Sequence, residues 1–334
     1  MIIFTEPELK QYVQLNLEAI SVIEEAFTKL ANNEVTMPPI MRVDIHDQNG
    51  EVDVKTAYIK GKDMFAIKVS SGFFNNYKLG LPSGNGLMML ISTKTGIPQA
   101  ILLDNGYLTD VRTAAAGAIA AKYLSRENIE TVGVIGAGCQ ARFQVRALKL
   151  VRNFKKVLVY SRSTERAKKY AEDMSAELGI EAEVADSAEM VVRNSDTVIT
   201  TTPAKEPIIK AEWLHPGLHI TAMGSDAEHK QELEAEVLVR ADKLVCDTKA
   251  QCARLGELHH ALDLGLLTSD SFIIELGQLT SKELIGREND EQITVCDLTG
   301  TGVQDTAIAL FAYNEMKKRN LGLNVENKTL PLKG

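Results

Sequence analysis

No stretch of this 334-residue chain stays apolar for the ~20 residues that a membrane-spanning helix requires, so no membrane span is expected. Positive charge is not in surplus either. The 37 Lys and Arg face 45 Asp and Glu, a net charge of -8, which argues against a nucleic-acid or anionic-membrane surface. Cysteine is sparse. Cys139, Cys246, Cys252 and Cys296 form no CxxC pair, so neither a disulfide framework nor a zinc site is suggested. The six histidines include no HExxH, and the adjacent His259 and His260 point to different sides of any helix, so no metal is expected. The opening MIIFTEPELK lacks the basic flank, apolar core and small-residue cleavage site of a secretory leader. A reducing cytoplasm is the expected home. Internal repeats and low-complexity segments are missing as well.

What is there suggests two domains, since single cores stop growing at roughly 250–300 residues. Residues 8–31 carry Val13, Leu17, Ile20, Ile23, Phe27 and Leu30 at spacings of three and four, the stripe of one amphipathic helix. Pro38-Pro39 then closes off helix. From 41 to 104 short alternating segments (RVDIH, DVKTAYI, MFAIKVSS, LMMLIST, AILLD) separated by Gly and Asn predict a largely antiparallel sheet. The Ala-rich run 107–124 predicts a helix starting near Thr109 or Asp110. After Glu130 the texture repeats strand, turn, helix. TVGVI, KVLVYS, AEVA, TVITTT, HITAM and KLVCD are apolar on both faces, as parallel strands are. The expected class is α/β: a Rossmann-type doubly wound sheet over 126–302, plus a discontinuous α+β substrate and dimerisation domain from 1–125 and 303–334. An amphipathic helix from 305 would complete that second domain.

The segment GVIGAGCQARFQVRAL carries Gly136, Gly138 and Ala141 in the pattern G-x-G-x-x-A. The first glycine permits a tight turn, the second lets backbone approach a pyrophosphate, and the small third residue lets helix pack on sheet. The helix N-terminus beyond it favours an anion. Because the motif follows one strand and precedes a helix and a second strand, it reads as a dinucleotide site. Ala137 and Gln140 lie in the same turn. The second strand ends at Tyr160-Ser161-Arg162-Ser163 with no acid for ribose hydroxyls. Ser161 and Arg162 could accept a 2′-phosphate, or Arg162 could stack on adenine or face water. The cofactor expected is NAD(H) or NADP(H).

Three charged residues sit on otherwise apolar elements. In MFAIKVSSG the alternation places Lys68 opposite Phe65, Ile67 and Val69, toward an interior or a solvated face. Arg112 falls in the first turn of the Ala-rich helix, where a cation costs about 0.3–1 kcal/mol unless an anion intervenes. A substrate carboxylate would be such an anion, and a local pair with Asp110 or Asp104 would be another. Asp226, in AMGSDAEHK, follows the fifth parallel strand on the edge where such sheets bind ligands, although Asp also commonly caps helices. Glu228, His229 and Lys230 read as solvated charges of the turn.

Arg42, Lys68, GLPSGNGLM, DNGYLTDVRTAAAGA, GAGCQAR, TTTP at 200–203, GSDAEHKQEL and DLTGTGVQD closely resemble the ornithine cyclodeaminase/mu-crystallin family, over nearly the whole chain and in order. SSGFFNNYKLGLPSGNGLM and AMGSDAEHK are most similar to the cyclodeaminases encoded with ectoine degradation. The resemblance implies that Arg112 grips a substrate α-carboxylate, aided by Arg42 and Lys68. It implies that Asp226 is the acid/base residue and that Gly136, Ala137, Gly138, Gln140 and Ala141 hold the pyrophosphate. Thr113, Ser161, Arg162, Thr202 and Met223 would complete the cofactor contacts, with Lys68 also counted among the catalytic residues. DLTGTGVQD would close the nicotinamide side. The implied partners are a small L-amino acid or cyclic imine and a second copy of the chain. The implied activity is cyclodeamination of a small L-diamino acid such as ornithine or a diaminobutyrate. Its alternatives are an imine or ketimine reductase or alanine-dehydrogenase-like enzyme, and a cofactor-bound protein without turnover. Two departures stand out: the missing acid after the second strand, and an Asp at 226 where mu-crystallin-like reductases have none.

Overall fold

The computed structural model describes residues 1–326. The chain begins with β1 (Ile2–Thr5), α1 (Glu6–Tyr12) and α2 (Leu17–Ala31). Six strands and a helix follow: β2 (Val35–Thr36), β3 (Met41–Ile45), β4 (Gly50–Ile59), β5 (Met64–Phe73), β6 (Gly84–Ser92), β7 (Pro98–Leu103) and α3 (Tyr107–Leu124), of which β2 is a two-residue strand paired with β4. Next come β8 (Thr131–Ile135), α4 (Cys139–Val151), β9 (Lys156–Tyr160), α5 (Thr164–Leu178), β10 (Glu181–Val184), α6 (Ala188–Arg193), β11 (Thr197–Thr200) and β12 (His219–Ala222). The remainder is α7 (Ala235–Val239), β13 (Lys243–Cys246), α8 (Lys249–Leu255), α9 (Glu257–Asp263), β14 (Ile274–Glu275), α10 (Leu276–Thr280), β15 (Thr294–Asp297), α11 (Gly302–Lys318) and β16 (Leu323–Asn324). No helix among the described residues is long and apolar enough to cross a membrane.

The chain forms two compact units. Met1–Gln14, Asn33–Thr109 and the chain from Thr301 make the first, while Leu15–Asn32 and Asp110–Gly300 make the second. These boundaries differ from 125/126 and 302/303. Within the second unit α2 packs on α10, with Thr28 Oγ1 2.8 Å from Thr280 Oγ1. There too α3 is tied to α4 by Gln144 Nε2, which donates to the Thr113 carbonyl at 3.0 Å.

In the first unit the sheet runs β16-β1-β7-β6-β5-β4-β2, with β3 on β4. Every pairing is antiparallel except β1 with β7. Helix α11 packs on β4 and β5. Thr306 Oγ1 donates to the Ala57 carbonyl at 2.7 Å and accepts from the Ala66 amide at 3.1 Å, which fixes the helix over the gap between these strands. Such close approach needs Gly302, where a Cβ would collide with the Thr56 backbone. Instead of burying one stripe, α11 is buried all round its first turns. The expected single helix over 8–31 is two helices, because the Asn16 side chain accepts from the Ala19 amide at 2.8 Å and caps α2 anew.

The second unit is a parallel sheet in the order β10-β9-β8-β11-β12-β15-β13-β14. All six expected strands are present, and β14 and β15 join them. Strand β15 enters between β12 and β13 although it is the last of this sheet's strands in chain order. Apolar cores cover both faces, one built around Val191, Leu218 and Val237 and the other around Val145, Tyr170 and Met174. Strand order reverses at the β8–β11 neighbours, which marks the ligand crevice of such a sheet.

Candidate active site

The turn after β8 has the geometry its glycines promise. Gly136 has φ +113°, and a Cβ there would lie 2.5 Å from Thr201 Oγ1, so no other residue fits without strain. Gly138 has an ordinary backbone and open space where its Cβ would be. It caps the 13-residue α4, whose N-terminus has no side-chain cap, so the helix presents its partial positive charge there. Ala141 is fully buried, and its carbonyl accepts from the Tyr170 hydroxyl at 3.1 Å. A larger residue would push α4 off the sheet. Gln140 is differently engaged: its amide donates to Asp110 Oδ1 at 2.6 Å, and Cys139 Sγ lies 3.3 Å from Asp110 Oδ2. Asp110 thus braces the turn, a role its sequence position alone did not reveal. At the end of β9, Ser161 is half-buried and Arg162 exposed. Ala137 and Thr113 are half-buried.

On the next two strands of the sheet, the ends of β11 and β12 are stapled by one carboxyl group. Glu232 accepts from the Thr202 amide at 2.6 Å, the Gly224 amide at 2.8 Å and Thr200 Oγ1 at 2.5 Å. Burial pushes its pKa up to about 6, although the Thr200, Thr202 and Gly224 hydrogen bonds pull the other way. Met223 and Thr202 are thereby fixed at the crevice edge. Glu232 went unremarked in the sequence, where only its place in QEL after the turn could have drawn notice.

Asp226 caps no helix. The next one, α7, begins nine residues later with Glu234 as its cap. The Asp226 side chain is about one-third exposed and lies 2.6 Å from Lys230 Nζ. Lys230 is not the solvated turn residue expected, for it is 4% exposed. Its carbonyl accepts from Ser225 Oγ at 2.6 Å and meets His260 Nε2 at 2.7 Å, so the loop folds back and draws the ammonium under Asp226. Glu228 and His229 are exposed, as expected.

Arg112 is buried within α3 at 5% exposure. Its guanidinium lies against Gly300, in the DLTGTG loop, where φ is +79° and a Cβ would strike Arg112 Nη1. Glycine is required twice over at that position.

The first unit holds the other two expected cations. Lys68 points to the buried side of β5, 1% exposed, with Nζ 2.9 Å from Oδ1 of the wholly buried Asp305 on α11. Lys55, also buried, stands directly across the β4–β5 pair from it. Asp104 lies in the same charged surroundings; burial raises its pKa to about 6, while the Leu108 amide and Lys68 lower it. Arg42 is bound by three acids: Asp44 at 3.0 Å, Asp53 at 3.6 Å and a very close Glu51. A substrate carboxylate at Arg42 would have to compete with all three. Lys55, Asp53 and Asp305 were legible only as the alternation in DVKTAYI and as the QD that opens the last helix.

A family model described as the ornithine cyclodeaminase/mu-crystallin family matches residues 2–320. The chain belongs to that family. Within it, the chain is 51% identical, over 96% of its length and 98% of the relative's, to an uncharacterized cyclodeaminase of Sinorhizobium fredii. Among solved structures it matches the Δ1-pyrroline-2-carboxylate reductase of Thermococcus litoralis in complex with NADH and L-proline. That match has a TM-score of 0.93 and 33% identity, covering 97% of this chain and 100% of that one. An archaeal alanine dehydrogenase dimer with bound NAD gives a TM-score of 0.91 and 35% identity, covering 98% and 99%. Cyclodeaminase/mu-crystallin family members of these kinds share the mixed α/β architecture with a parallel sheet described above.

Proposed function

We propose that this protein is a nicotinamide-dependent enzyme acting at the carbon–nitrogen bond of a small L-amino acid or its imine, and that it works as a cyclodeaminase of a small L-diamino acid. The observation that carries the reading is the pair of features on one sheet edge. A glycine turn shaped for a pyrophosphate ends β8, and a lysine-held carboxylate follows β12, two strands away. NAD(H) or NADP(H) is the cofactor, in keeping with the NADH and NAD in the solved relatives. Bound there, it supplies reversible hydride exchange at the α-carbon.

The chain's own residues do the rest. Gly136 and Gly138 admit the pyrophosphate, and the uncapped N-terminus of α4 balances its charge. Arg112 grips the α-carboxylate with its planar fork, which fixes where the α-carbon lies. Lys68, paired with Asp305 at 2.9 Å, is the substrate-binding cation proposed for the first unit. Asp226 takes the proton from the amine that attacks the α-carbon and returns one to the departing ammonia. Lys230 holds the carboxylate in place through Oδ1 at 2.6 Å.

A second reading is favoured by the solved relatives at 33% and 35% identity, a reductase and a dehydrogenase. With the same residues, hydride transfer would then be net, from reduced cofactor to an imine. The two part on redox balance. Incubation with L-ornithine, 2,4-diaminobutyrate, L-alanine and Δ1-pyrroline-2-carboxylate, with ammonia and nicotinamide absorbance recorded together, separates them. Cyclodeamination releases ammonia with no absorbance change, whereas one reduced cofactor consumed per product would sink it.

The chain is further proposed to act as a homodimer. On the sheet face opposite Lys68, Met41, Val54, Val69 and Leu87 form one cross-strand apolar row. Met41 and Val43 are 59% and 52% exposed there, an apolar face of the kind that marks an interface.

A further inference from the structure

We infer that Asp247 is a positioning residue for Arg112, acting through the Thr299–Gly300 turn; this rests on the carboxylate-binding role proposed for Arg112. Asp247 follows β13 directly and is 1% exposed. Its Oδ2 accepts the Thr299 amide at 2.8 Å and the Gly300 amide at 2.7 Å. Its Oδ1 accepts the Thr248 amide at 2.8 Å, Thr299 Oγ1 at 3.0 Å and Cys252 Sγ at 3.1 Å. Gln251 Nε2 donates to Thr299 Oγ1 at 2.7 Å and to the Gly300 carbonyl at 3.0 Å. Both amides, the hydroxyl and the last carbonyl of the turn are therefore spoken for.

What the turn does with this rigidity is visible at Gly300. Held at φ +79°, it lays bare backbone against the guanidinium, with Nη2 and Cζ at 3.1 and 3.2 Å from where a Cβ would stand. The guanidinium therefore occupies the space that a side chain at position 300 would need. A bidentate fork is useful only when its plane is set, and a displacement of about 1 Å can cost ~100-fold in rate. The carboxyl group of Asp247 sets the turn, and the turn sets the plane.

In Asp247→Asn an amide NH2 faces N–H donors whichever way it is flipped, so the turn shifts while side-chain volume is kept. Gln251→Leu, at a half-buried position, loosens the same turn more mildly. The assay is Δ1-pyrroline-2-carboxylate with NADH or L-ornithine with NAD+, whichever turns over. For D247N, kcat/KM for the carboxylate substrate is expected to fall at least tenfold, with the NADH dissociation constant changed less than twofold; Q251L shows the same pattern at about threefold. Placed on an Arg112→Met background, D247N and Q251L should cost less than twofold more, since they act through the missing guanidinium. Losses that multiply fully with R112M, or that appear equally in NADH binding, overturn the inference. R112M with undiminished kcat/KM would instead remove the role proposed for Arg112 itself. Should D247N not fold, judged by circular dichroism, Q251L and its double variant decide the matter alone.

Discussion

Lys230 changes what Asp226 is. An aspartate in a solvated turn would have many rotamers, whereas one paired at 2.6 Å to a buried ammonium has few. Lys230→Met should lower kcat by about tenfold, or ~1.4 kcal/mol in barrier, with NADH affinity unchanged; Lys230→Arg should recover part of the loss. Equal kcat in K230M and the parent would leave the lysine a structural bystander. The sequence hid this because Glu228, His229 and Lys230 are equally polar neighbours, and the contacts of Ser225 and His260 with the Lys230 carbonyl are what turn the third of them inward. His219 gives a second test. Its ring lies between Thr294 Oγ1 and Thr221 Oγ1, each at 2.9 Å, and burial, helped by Arg287, lowers its pKa to about 3. The folded protein then binds that proton less readily than the unfolded chain, where His titrates near 6.5. Stability from this group is thus lost as pH falls from about 6.5 toward 3. Glu232 and Asp297, raised by burial to about 6 and about 7, contribute the opposite slope, losing stability as pH rises toward those values. Melting temperatures from pH 4.5 to 7 should therefore fall less steeply on the acid side in His219→Asn than in the parent. An unchanged slope would mean that the ring is protonated in the fold.

At the level of elements, the two fingerprint glycines do different work. Gly136 is conformational, with positive φ and Thr201 in the way; Gly138 has neither constraint and leaves an open approach. Gly136→Ala should lower the melting temperature and weaken NADH binding together. Gly138→Val should leave the melting temperature within a degree or two of the parent while abolishing NADH binding in a fluorescence titration. Full binding by G138V would place the pyrophosphate elsewhere. The strand–turn–helix signature was legible because period and punctuation both agree over 131–151. Strand β15 was not, since ITVCD follows a loop-rich segment and its place between β12 and β13 depends on pairing partners 51 and 75 residues upstream. The break at residues 13–16 was masked because the apolar spacing of three and four runs through it, and a single Asn16 cap outweighs the stripe.

For the molecule as a whole, family membership and the α/β class were readable from ordered motifs spread along the chain, because glycine turns, an Ala-rich helix and an acidic strand end each leave a local mark. The partners of the charged groups left none: Asp305 lies 237 residues from Lys68, and Asp247 lies 52 from Thr299. The half-exposed sheet face predicts assembly. Val43→Asp should convert a dimer to a monomer in light scattering coupled to gel filtration, without loss of secondary structure, whereas a parent that is already monomeric would refute the homodimer. The claim on which the account turns is that hydride leaves the α-carbon and returns to it. L-Ornithine, or whichever diamino acid is turned over, carrying deuterium at the α-carbon and incubated with the NAD-loaded protein, tests this by mass spectrometry of the cyclic product. Deuterium retained at that carbon, ammonia released and no net reduced nicotinamide are the expected result. Deuterium accumulating in the nicotinamide pool, with an unlabelled product, would contradict it.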